Sequence, residues 1–77
     1  IFNYSIKIAD FYYKDSAKSM SDRIINETNI KNPIIKRISN TKYRVLLGPF
    51  NDIKKLEESF NDIKSLNFEN LEILKDV

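Results

Sequence analysis

Polar and apolar residues alternate at the head of the chain. Tyr4, Ile6 and Ile8 alternate with Ser5, Lys7 and Ala9, the period-two pattern of a strand with one buried face, and Phe11 ends the run. The period then lengthens. Asp15 and Ser16 offer helix-capping oxygens, and Ala17, Met20, Ile24 and Thr28 follow at three- and four-residue spacing, with Lys18, Asp22 and Asn26 opposite. That is an amphipathic helix over about 15–28. Pro33 stops its continuation, and Ile34 to Ile38 read as a second strand. Ser39, Asn40 and Thr41 form a turn.

A third strand follows, in which Tyr43, Val45 and Leu47 alternate with Arg44, Leu46 and Gly48, and Gly48 and Pro49 punctuate its end. Asn51 or Asp52 caps a second helix, striped by Ile53, Leu56, Phe60, Ile63 and Leu66; Leu71 to Leu74 supply a last strand. The halves also repeat. Shifted by about 39 residues, YSIKIADF (4–11) lies on YRVLLGPF (43–50), which pairs Tyr4 with Tyr43, Ile6 with Val45, Ile8 with Leu47 and Phe11 with Phe50. The same shift sets Ile24 on Ile63 and Ile34 on Ile73.

These observations predict an α+β fold of order βαββαβ, a ribonucleoprotein- or ferredoxin-like duplication: a four-stranded antiparallel sheet with both helices on one face. Right-handed crossovers place the first and third strands in the centre. The 77 residues form one domain, with repeats at about 4–38 and 43–75. The opening on strand-like sequence at Ile1 suggests a segment excised from a longer protein.

Parity then assigns faces. With Ile6, Ile8, Val45 and Leu47 under the helices, Ser5, Lys7, Arg44 and Leu46 point to the uncovered face, and Lys42 and Gly48 share that parity. The second strand is open to two readings: Ile34 and Ile38 inward with Lys36 as an exposed-rim exception, or Ile35 inward with Arg37. The bare face is expected to present positive charge around a small apolar patch at Leu46. A guanidinium there can donate a forked pair of hydrogen bonds, whereas lysine is a mobile point charge.

Composition narrows the chemistry. The chain has no cysteine and no histidine, which removes the usual zinc, copper and haem ligands and the Ser–His and Cys–His nucleophile pairs. A single glycine leaves no room for a phosphate-cradling loop. Glu57 and Glu58 are neighbours that diverge on a helix, and Glu69 and Glu72 sit near the last strand, so no acid pair is set to face another across a cleft. The expectation is a non-catalytic binding domain without metal or cofactor. No run of about 18 apolar residues is present, so no membrane insertion by this segment is expected. A formal charge of +2 is weak for a protein that grips nucleic-acid phosphates.

The run Tyr43-Arg44-Val45-Leu46-Leu47-Gly48-Pro49-Phe50 resembles the third strand of SPOR (sporulation-related repeat) domains, and Tyr4 to Phe11, with Ala17 and Met20, resembles that family's opening motif. The likeness extends over about residues 3–75. It implies a bacterial envelope domain, periplasmic and septal, that binds peptidoglycan glycan strands stripped of their stem peptides and brings its parent protein to the division site. Arg44 is the best-matched binding residue, and Lys7, Asp10, Lys42 and Leu46 complete the expected set. The chain departs from the family pattern at Lys7, where glutamine is usual, and at Ala9-Asp10, where Gly-Ser is usual. A monomer is expected. The alternatives are an RNA-binding module of the same strand–helix order, which would need outward aromatic rings on the central strands, and a domain for protein–protein interaction or dimerisation.

Overall fold

A computed structural model describes residues 1–75; Asp76 and Val77, the last positions of the expected 1–77 domain, lie outside the described residues. The elements run β1 (Tyr4–Phe11), α1 (Lys14–Glu27), β2 (Ile34–Ser39), β3 (Lys42–Phe50), α2 (Ile53–Lys64) and β4 (Glu72–Lys75). The sheet is antiparallel with strand order β2-β3-β1-β4, so β1 and β3 are central as the crossover argument required. Helix α1 packs on β1, β2 and β3, and α2 on β1 and β3.

The core lies between helices and sheet. Ile6, Ile8, Val45 and Leu47 from the strands meet Ala17, Ile24, Leu56 and Ile63 from the helices, all buried. Each of the isoleucine, valine and leucine side chains contributes about 1.5–3 kcal/mol by leaving water. Ile24 and Ile63, equivalent across the 39-residue shift, are both fully buried. Ile30, in the α1–β2 connection, adds a buried side chain that no periodic pattern announced.

Both central strands bulge. Lys7 pairs with Leu46 and Ala9 with Val45, so Ile8 is the extra residue in β1; Tyr4 pairs with Phe50 and Ile6 with Leu47, so Gly48 and Pro49 stand opposite Ser5 alone. A bulge turns the following side chains over to the other face. Phe11 and Phe50 therefore pack against the core, and Asp10, opposite Arg44, takes the uncovered face. Gly48, at φ 110°, is the residue that tolerates the β3 distortion. The strand does not end at Gly48-Pro49 but continues through them to Phe50.

Both ends of α1 differ from expectation, while the α2 cap is one of the two expected. Tyr13, not Asp15 or Ser16, is the N-cap of α1, with no side-chain cap bond, while Asp15 sits in the first turn where its charge favours the helix dipole. Thr28 is the C-cap rather than part of the apolar stripe: its Oγ1 donates to the Ile24 carbonyl at 2.7 Å and accepts from the Ile30 N–H at 3.0 Å. At α2, Asp52 is the cap, accepting the Lys54 N–H at 2.8 Å. Ile53, the first residue of α2, stays 57% exposed.

Candidate functional site on the uncovered sheet face

Register decides what faces away from the helices. Val45 and Leu47 are buried, so Arg44 and Leu46, which alternate with them, point outward, joined across the β1 pairing by Lys7 and Asp10 and across the β2 pairing by Ile34 and Lys36. Of the two readings of β2, the one with Ile35 inward is correct: Ile35 pairs with Val45 and packs on the core. Arg37 shares its parity but stays exposed and donates to the Asn40 side chain. On β4, Glu72 lies opposite Lys7, and Leu74 opposite Ser5.

The centre of this face is a network of charges. Arg44 clasps Asp10 side-on, Nε to Oδ1 at 2.8 Å and Nη2 to Oδ2 at 3.0 Å, across two strands. Lys7 Nζ stands 3.5 Å from Asp10 Oδ2 and 3.8 Å from Glu72 Oε2. The side chains of Lys7, Asp10 and Arg44 are each only about a fifth exposed. The Arg44 hydrogen bonds hold the Asp10 carboxyl below its ordinary value against the opposing cost of burial, with the Lys7 charge assisting. The same bonds push the Arg44 guanidinium up.

Beside the network lies a groove of about 440 Å³. Its floor is aliphatic, from Ile34, Ile38, Leu46, Pro49 and Leu74; Lys36, Arg44 and Lys75 supply cations, and Ser5 a hydroxyl. Ile34 and Ile38 are each 42% exposed, so the apolar surface is wider than the patch expected at Leu46 alone. A second depression, of about 340 Å³, lies on the far side of Asp10, between Lys7 and the Phe68–Asn70 segment. The Arg44–Asp10 pair stands between the two hollows.

Compared with known proteins, the chain matches no family model, no curated sequence and no solved structure.

Of the five residues expected in the site, Lys7, Asp10 and Arg44 come together in one ionic cluster and Leu46 forms part of the groove floor. Lys42 shares the face but stands at its end, opposite Ser39, and is not among the residues lining the groove. Sequence reasoning missed Lys36, Ile34, Ile38, Leu74, Lys75 and Glu72. A signal for Lys36 existed in the outward parity of Arg44, since the two are direct cross-strand partners. Reading it required the β2–β3 register, which the Ser39–Thr41 turn does not specify. Among the described residues no helix is long and apolar enough to cross a membrane, and no group of three or more acidic side chains converges as a metal site.

Proposed function

We propose that this chain is a non-catalytic, SPOR-like domain that binds denuded peptidoglycan glycan along the uncovered sheet face and so directs a larger envelope protein to the division septum. The observation that carries the reading is the groove: an aliphatic floor edged by Lys36, Arg44 and Lys75. Sugar rings offer C–H faces to aliphatic side chains and hydroxyls to charged ones. Removal of the stem peptides exposes a lactyl carboxylate on each muramic acid, which Lys36 and Lys75 complement in charge.

The ionic network favours binding over bond cleavage. A glycosidase needs one carboxyl held protonated and a second facing it across the cleft. Asp10 is instead drawn down by Arg44, and Glu72 is engaged by Lys7. The aromatic rings argue against base stacking. Tyr4, Phe11, Tyr43 and Phe50 all pack toward the helices, leaving Ser5, Lys7, Asp10, Arg44 and Leu46 on the outward positions of the central strands.

The test is retention of the protein on purified sacculi before and after an amidase removes the stem peptides. Enrichment after treatment, lost several-fold in Lys36→Ala, is the expected result. Equal retention on treated and untreated sacculi would reduce the interaction to cation-driven adhesion and refute the proposal.

A further inference from the structure

Two cations and two carboxylates meet at the middle of the uncovered face, and their arrangement bears on which polymers can settle there. Arg44 spends Nε and Nη2 on Asp10, one of the two edges with which a guanidinium can fork onto a carboxylate, sulfate or phosphate. Lys7 is held between Asp10 and Glu72. A bare polyanion reaching this cluster of two cations and two carboxylates meets no net positive charge from it. A hydroxyl meets the opposite situation. A guanidinium has five N–H donors and an ionised carboxylate about four acceptor sites, so the clasped pair still offers donors on Arg44 and acceptors on Asp10 in fixed positions. The cations of the groove away from this cluster are Lys36 and Lys75.

We infer that Asp10 and Glu72 are specificity-determining residues: by neutralising Arg44 and Lys7 they make the centre of the face select hydroxyl-rich, sparsely charged chains and reject densely charged polyanions. This deepens the proposed glycan reading and rests on it for the identity of the chain selected; the rejection of polyanions follows from the ionic network alone. The bulge at Ile8 is what makes the arrangement possible, since regular alternation would put Asp10 on the face occupied by Ile6 and Ile8.

The test measures the 77-residue chain against heparin, a dense sulfated polyanion, and against amidase-treated sacculi. Asp10→Asn keeps the side-chain shape and removes its charge, and Glu72→Gln does so at an exposed position of an edge strand. Asp10→Asn is expected to tighten heparin binding about five-fold, with the salt dependence steeper by roughly one released counterion. Glu72→Gln should shift affinity in the same direction but less, because Lys7 keeps Asp10. Retention on treated sacculi should fall in Asp10→Asn, as one of the two fixed acceptor oxygens is replaced by an N–H donor. Unchanged or weaker heparin binding by a folded Asp10→Asn overturns the inference; if that variant does not fold, unchanged heparin binding by Glu72→Gln overturns it equally. A parent chain that ignores treated sacculi while Asp10→Asn gains heparin would sink the glycan reading and uphold the filter.

Discussion

Asp10 and Arg44, thirty-four residues apart in sequence, are joined by two hydrogen bonds on the face of the sheet that carries no helix. The contact depends on one extra residue in β1. Ile8 is squeezed out of the ladder between Lys7 and Ala9, and the strand beyond it turns over, so that Asp10 lands opposite Arg44 and Phe11 opposite Tyr43.

This pairing makes stability depend on acid pH. The folded pKa of Asp10 lies below its ordinary 3.8, chiefly through the Arg44 hydrogen bonds. A depressed pKa adds stability that is fully present above the unfolded value and is lost as pH falls through the folded one. Urea midpoints should therefore decline below about pH 4, and Asp10→Asn should flatten part of that decline. Parallel acid limbs in parent and variant would show that the pair contributes nothing.

The apolar stripe of α2 does not weigh equally along its length. Ile63 is fully buried and Ile53 is 57% exposed, although both fit the same periodicity. Ile63→Ala should cost about 2–5 kcal/mol, whereas Ile53→Ala should stay within about 0.5 kcal/mol. Equilibrium urea unfolding separates them readily.

Helix caps give a matched pair of opposite sign. Asp52 accepts the Lys54 N–H, so Asp52→Ala should cost about 1 kcal/mol. Tyr13 occupies the equivalent position of α1 with no side-chain cap bond, and Tyr13→Ser should add roughly 0.5–1 kcal/mol. Thermal midpoints moving in opposite directions would establish both assignments.

The alternation of β1 and β3 announced the sheet, and the 3.6-residue stripes announced the helices, because burial on one side imposes those periods directly. The central-strand half of the site was legible for the same reason: Lys7 alternates with Ile6 and Ile8, and Arg44 and Leu46 alternate with Val45 and Leu47. The rest was hidden for two physical causes. Bulges reverse parity without altering residue type, so nothing in Lys7-Ile8-Ala9-Asp10 states that Asp10 and Lys7 share a face. In β2, isoleucines occupy both parities at Ile34, Ile35 and Ile38, and only the register against β3 shows that Ile34 and Ile38 floor the groove.

Gly48 was the visible trace of one such bulge. Its φ of 110° is hostile to a side chain, and a Cβ there would stand 3.0 Å from Cδ2 of Phe50. Gly48→Ala should destabilise the fold by about 1–2 kcal/mol, and it should also disturb binding, since Gly48 and Pro49 line the groove. A Gly48→Ala chain with unaltered unfolding midpoint would contradict the backbone strain argued for this position.

The central claim is that ligand is held on the sheet face that the helices leave bare. Titration of the isotopically labelled chain with amidase-treated glycan fragments, followed by amide chemical-shift mapping, tests it most directly. The expected shifts fall on Lys36, Arg44, Leu46 and Leu74, with Asp22, Asn26 and Glu57 on the helices unmoved. Shifts concentrated on α1 and α2, with Arg44 and Leu46 silent at saturation, would contradict the account.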